Sequence, residues 1–134
     1  MIQENVEIVR RWVGAFNHLD DVGGFVAQWD PECEFFTLFG TRLADAPYQG
    51  HDGLKRYLSE RAEAWAELRI EADDVRGVGD RIVLTGRIRG RGLSSSAEIE
   101  QRVGLVFELR DNRVLRVRSY SDPAEALEAA GLSE

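Results

Sequence analysis

Residues 97–120 read AEIEQRVGLVFELRDNRVLRVRSY. Ile99, Gln101, Val103, Leu105, Phe107 and Leu109 fall on one side of an extended chain, with Glu98, Glu100, Arg102 and Glu108 on the other. After Asp111-Asn112 the alternation resumes, with Leu115, Val117 and Ser119 opposite Arg116, Arg118 and Tyr120. Asp and Asn tolerate the left-handed backbone of a two-residue turn, so the spacing predicts a hairpin of strands over 97–109 and 113–120. A preceding strand over 81–89 sets Ile82, Leu84 and Ile88 against Val83, Thr85, Arg87 and Arg89. Three strands this long form a curved sheet whose apolar face needs a cover.

The N-terminal half supplies it. Val6, Val9, Val13 and Phe16 recur at helical spacing, Trp12 widens the stripe, and the helix is expected to fray at Asn17-His18. Asp20 or Asp21 caps a second helix carrying Val22, Phe25, Val26 and Trp29, weakened by Gly23-Gly24 and stopped by Asp30-Pro31. Residues 34–39 (EFFTLF) suit a short buried strand with Phe35, Thr37 and Phe39 on one face, and residues 40–50 read as a loop. Gly50-His51-Asp52-Gly53 opens a third helix, with a stripe of Leu54, Tyr57, Leu58, Arg61 and Trp65 and an Arg56–Glu60 pair on its wet side. Leu68, Ile70 and Ala72 then alternate, but Val75 falls three residues on, which predicts a β-bulge at Asp73-Asp74. Residues 90–96 are small and polar and read as a hairpin tip. Asp122-Pro123-Ala124-Glu125 starts a final short helix that Gly131 ends.

The chain has 134 residues and a formal charge of -7. That length implies one domain spanning 1–134, burying roughly 70% of its unfolded surface. The acidic balance speaks against nucleic acid as a partner, because phosphate binding needs a basic field. No apolar run is long enough for a membrane span, and the charged start lacks the apolar core of a secretion signal. One cysteine, Cys33, forms no internal bridge, so a cytoplasmic location is expected. Two histidines without paired spacing give no reason to expect a metal site, and no phosphate-binding glycine loop or nucleophile elbow is present; no cofactor is expected.

The order helix, helix, aromatic strand, G-H-D-G-L helix opening, and long meander ending in R-V-R-S-Y-S-D resembles the SnoaL-like branch of the nuclear-transport-factor-2-like superfamily over nearly the whole chain. That resemblance implies an α+β cone with a cystatin-like arrangement: a curved mixed β-sheet wraps three N-terminal-half helices around a deep apolar pocket, with a short C-terminal helix. Relatives of this type include polyketide cyclases, ketosteroid isomerases and limonene epoxide hydrolases as well as non-catalytic binders, and many are homodimers. Compared with the isomerases, Trp12 stands where a tyrosine donates to the substrate oxygen, Thr37 near the general-base aspartate, and Leu105 near the second aspartate. Compared with the epoxide hydrolases, Arg87 and Arg89 stand where an arginine and an aspartate are expected, and Ser119 where the other aspartate is. Neither reaction keeps its acids.

The resemblance and the alternation together suggest a ligand pocket lined by Trp12, Phe16, Phe35, Thr37, Tyr57, Trp65, Arg87, Gln101, Val103, Leu105 and Ser119. Two readings of Arg87 stand side by side: a pocket cation that steadies an enolate or carboxylate, or an outer-face partner of Glu98 or Glu100. Gln101, polar on the apolar side, either orients a ligand or bonds Trp12 or a backbone group. His51 at the helix opening suits backbone bonding more than proton transfer, and the acids Asp30, Glu32 and Glu34 suit a solvated strand start. Arg87, Arg89, Arg116 and Arg118 facing Glu98 and Glu100 suggest a homodimer through the outer sheet face. The function expected is binding of a small apolar or aromatic molecule; the alternative is a cofactor-independent isomerase, cyclase or hydrolase acting on a polyketide-like or terpenoid substrate.

Overall fold

The computed structural model describes residues 2–37, 47–78, 80–94 and 97–131. Its elements are α1 (Ile2–Asn17), α2 (Val22–Ala27), β1 (Trp29–Phe36), β2 (Tyr48–Gln49), α3 (Gly50–Ala64), β3 (Trp65–Val78), β4 (Arg81–Gly92), β5 (Glu98–Arg110), β6 (Arg113–Tyr120) and α4 (Pro123–Ala129). They form a sheet in the order β2-β1-β6-β5-β4-β3. All neighbours are antiparallel except β1 and β6, which makes the sheet mixed. The α+β cone of curved sheet and covering helices is therefore the fold.

The hairpin at the heart of the sequence is present. Arg110 faces Arg113 across Asp111 and Asn112, whose φ values of 52° and 65° are those of a type I′ turn. The bulge also lies where the pattern broke, since Ala72 opposes Gly86 and Asp74 opposes Thr85, leaving Asp73 without a partner. Asp21 caps α2 by accepting from the Gly24 N–H, and Asp122 caps α4 from the Ala124 N–H.

Several boundaries differ from the sequence reading. Trp29 belongs to β1 rather than to the second helix, and Trp65 opens β3 rather than closing the third. Both are large apolar residues at positions where helical and extended patterns coincide, so periodicity alone does not separate them. β1 thus begins at Trp29 instead of residue 34, and Tyr48-Gln49 pairs with it as a short edge strand within the expected loop. β4 runs on to Gly92, because β3 pairs with it as far as Trp65 and so shortens the hairpin tip. Phe39 and most of the expected loop over 40–50 lie outside the described residues.

Two cores hold the sheet. On the concave side Val9, Trp12 and Phe16 of α1, Phe25 of α2, and Leu54, Tyr57 and Leu58 of α3 pack onto Leu84, Val103, Leu105, Phe107 and Val117. On the convex side α4 sets Ala126 and Ala130 against Val83 and Val106. Gly104 makes that approach possible: a Cβ there would lie 2.5 Å from the Cβ of Ala126.

The remainder of the convex face is a charged ladder. Arg87 lies 3.5 Å from Glu100; Arg89 reaches Glu100 at 3.5 Å and Glu71 at 3.3 Å; Arg91 lies 3.7 Å from Glu67. Arg87 is therefore an outer-face residue, not a pocket cation, and the alternation of β4 is the reason. Asp30 and Glu34 near the start of β1 are also placed differently from expectation. Asp30 is only 5% exposed and takes two hydrogen bonds from Arg110, at 3.0 and 2.8 Å. Arg116 donates to Glu34 at 2.8 Å. Parallel pairing with β6 brings these acids to the hairpin's arginines. Hydrogen bonding from those guanidiniums holds both carboxyls below their usual range, with burial opposing.

Candidate functional site

Seven of the expected lining residues do meet. Trp12, Phe16, Phe35, Thr37, Val103, Leu105 and Ser119, with Ile70 and Ile88, surround a void between α1 and the sheet. Its volume is about 10 Å³, room for one water at most. The deep pocket is thus filled by side chains. Trp12, fully buried, has Phe107 at 5.1 Å between ring centroids, Phe16 at 5.3 Å, Phe25 and Trp29 at 5.9 Å, and Phe35 at 6.2 Å. This aromatic cluster occupies the space that the resemblance assigned to a ligand.

The chemistry of the void is as informative as its size. Thr37, Leu105 and Ser119, the positions compared with catalytic acids, do face it, and none of them titrates in the working range. The buried indole N–H of Trp12 has no hydrogen-bond partner among the described residues, so Gln101 does not satisfy it. Gln101 pairs in register with Ile88 and is half-buried on the concave side, but it is not part of the wall. His51 donates from Nε2 to the Trp29 carbonyl at 2.9 Å, the backbone role its position suggested. Desolvation pushes the buried Cys33 thiol up to about 11, which leaves it a poor nucleophile.

Open space lies at the mouth of the cone, where α1 ends, α3 ends and β3 begins. One cleft of about 140 Å³ is lined by Tyr48, Tyr57, Glu60, Arg61, Trp65 and others. A second of about 370 Å³ includes His18, Leu19, Leu58, Arg61, Trp65 and Leu68. Arg61, Trp65 and Leu68 belong to both, so the two adjoin. Tyr57 and Trp65, expected in the deep pocket, stand here instead. A third cavity, of about 360 Å³, is a groove in the charged ladder, lined by Arg89, Arg91, Glu98 and Glu100 among others.

Arg61, placed by the sequence in the stripe of the third helix but not among the expected site residues, is central here. It sits in the apolar stripe of α3, where a charge is out of keeping, and that was the available signal. Its Nη2 donates to the carbonyls of Phe16 and Leu68, both at 2.8 Å, and its guanidinium lies 4.3 Å from the Phe16 ring centroid. It thereby closes the C-terminal end of α1, where cations are favourable. Asn17 fastens the same end, exchanging hydrogen bonds with the backbone of Ile70 at 2.9 and 2.7 Å. Burial lowers the Arg61 pKa and pushes the neighbouring Tyr57 hydroxyl up to about 12. Across the smaller cleft Tyr48 donates to Glu60 at 2.5 Å; burial first, then that carboxylate, pushes the Tyr48 hydroxyl up to about 12.

A curved mixed sheet closed over helices defines the class. The family model of the SnoaL-like domain matches residues 9–117, and the chain belongs to that family. No curated protein matches the chain. Among solved structures, a nuclear-transport-factor-2-like protein of unknown function from Burkholderia pseudomallei is 22% identical, with 96% of this chain and 98% of that one covered and a TM-score of 0.77. TerC, co-crystallized with polyporic acid, is 19% identical over 95% and 98% of the chains, with a TM-score of 0.75. A candidate polyketide cyclase from Xanthomonas campestris pv. campestris is 16% identical over 96% and 98%, with a TM-score of 0.76. At such identities the likeness is one of fold.

Proposed function

We propose that this SnoaL-like domain binds a compact apolar or aromatic molecule without converting it, and that the ligand sits at the mouth of the cone. The observation that carries this reading is the pair of adjoining clefts at the mouth, where Leu19, Leu58, Trp65 and Leu68 offer an apolar floor, while the inner void of about 10 Å³ is too small for a ligand. Acid–base turnover needs an available acid or base within hydrogen-bond reach of the reacting atom, and the acids at the mouth, Glu60 and Glu67, are already engaged with Tyr48 and Arg91. The larger cleft at the mouth has a volume typical of small-molecule sites. TerC, with polyporic acid in its crystals, supports a binding use of the same fold.

The test is mass spectrometry of protein purified without denaturation, followed by turnover assays on whatever it retains. A retained small molecule recovered unchanged is the expected result. Its conversion to product would establish the alternative, an isomerase, cyclase or hydrolase acting on a polyketide-like or terpenoid substrate. Such a reaction would draw on Glu60 in the smaller cleft or on Glu67 or His18 in the larger.

A homodimer through the convex face, in a reducing cytoplasm, belongs to the same proposal. The ladder's acids and bases already pair within one chain, so a second copy would have to share them. Light scattering at rising salt is expected to show a dimer that dissociates; a monomer at low salt removes the idea.

A further inference from the structure

We propose that Arg61 anchors an anion, and that the ligand at the mouth of the cone is a small organic acid with an aromatic or apolar body. This deepens the binding reading above and rests on it.

The first ground is the state of the guanidinium. Arg61 has no carboxylate within ion-pairing distance among the described residues, although Arg116, also half-buried, has two, Glu34 at 2.8 Å and Glu108 at 3.1 Å. Its Nη2 is occupied by backbone carbonyls, which are neutral acceptors. Its Nη1 is buried and, among the described residues, has no acceptor in hydrogen-bonding geometry, the Tyr57 hydroxyl being its polar neighbour. A cation removed from water without a counter-charge, and with a donor left over, is costly. A carboxylate or acidic enol in the adjoining cleft supplies the missing counter-charge.

The second ground is where the group stands. Arg61 lies on the wall shared by the two clefts, together with Trp65 and Leu68. Leu19 and Leu58 extend the apolar surface, enough to cover a ring or two. Arg69 and Glu67 line the same cleft, and each has a partner, Glu71 at 3.6 Å and Arg91 at 3.7 Å. That leaves Arg61, among the described residues, as the cation of this cleft without a carboxylate partner, beside an apolar floor. Glu60, in the smaller cleft, already accepts from Tyr48 and lies 3.7 Å from Arg56. The arrangement therefore favours an acid lying in the larger cleft, with its anionic end toward Arg61.

The probes are matched pairs, 2-naphthoate with 2-naphthamide and benzoate with benzamide, titrated into the wild-type protein by calorimetry. Naphthoate is expected to bind at least tenfold tighter than its amide and to shift the Trp65 indole resonance more than those of Trp12 and Trp29. The preference is expected to vanish in Arg61→Gln, whose fold is checked by circular dichroism, and to survive in part in Arg61→Lys. If Arg61→Gln does not fold, the wild-type pairs decide. Equal affinity for acid and amide overturns the anion anchor while leaving the binding reading standing. A preference that persists in folded Arg61→Gln places the anion elsewhere and overturns it as well. Failure of every probe to bind at millimolar concentration overturns the binding reading, and this inference with it.

Discussion

Trp12→Ala is expected to lower the unfolding free energy by roughly 3–5 kcal/mol, the usual cost of truncating a large buried aromatic. Trp12 is completely buried and touches the rings of Phe16, Phe25, Trp29, Phe35 and Phe107, which come from α1, α2, β1 and β5. Its removal therefore unpacks four elements at one point. Those neighbours are themselves fixed by the sheet and cannot all move inward, so a dry apolar cavity should remain. Thermal unfolding should show a midpoint lower by roughly 10–20 °C. Added indole should recover part of that loss by filling the hole, since a ligand bound only by the folded state stabilises it by mass action. A loss below about 1 kcal/mol, or no response to indole, would mean that the interior collapses readily. The aromatic cluster would then not be the frame of the cone. The wild-type protein, whose void is about 10 Å³, is expected to show no indole effect of this kind.

The substitution separates what the sequence could disclose from what it could not. The apolar face of β5 was legible residue by residue, because a strand's side-chain period is 2 and Val103, Leu105 and Phe107 have no other consistent placement. The bulge at Asp73 was legible for the same reason, as a break in that period. Thr37, Leu105 and Ser119 could be assigned to the inner wall from strand parity and resemblance together. Whether the wall enclosed a pocket was not legible, because volume is what remains after every side chain has been placed. Trp12, Phe25 and Trp29 belong to three different elements, α1, α2 and β1, yet share one small space. Arg61 was not among the expected site residues because a helical stripe reports which residues face inward and not what they meet there. Glu32 is solvated as its position suggests, but Asp30 and Glu34 are not, and their partners, Arg110 and Arg116, lie 80 and 82 residues away. Only the parallel β1–β6 pairing brings them together.

Gly86→Ala and Gly14→Ala should move stability in opposite directions, although the two changes are chemically identical. Gly14 lies exposed in α1, and a Cβ there meets nothing within 4 Å. Alanine restricts the unfolded chain and favours the helix, so a gain of roughly 0.5–1 kcal/mol is expected. Gly86 lies in β4 opposite the bulge of β3. A Cβ there would stand 2.1 Å from the Glu71 carbonyl oxygen, 3.0 Å from the Ala72 Cα and 3.1 Å from the Asp73 nitrogen. All three are backbone atoms of a strand hydrogen-bonded along its length, so no side chain can swing aside. Overpacking of this kind costs about 1–3 kcal/mol where side chains can yield; against backbone, roughly 3 kcal/mol or more is expected. Urea unfolding of both variants provides the measurement. The bulge is where β3 turns to follow the curl of the sheet, and its loss would flatten the wall that closes over α1. If Gly86→Ala were as stable as wild type, the close approach of β3 to β4 would be wrong. The bulge would then have no part in shaping the cone.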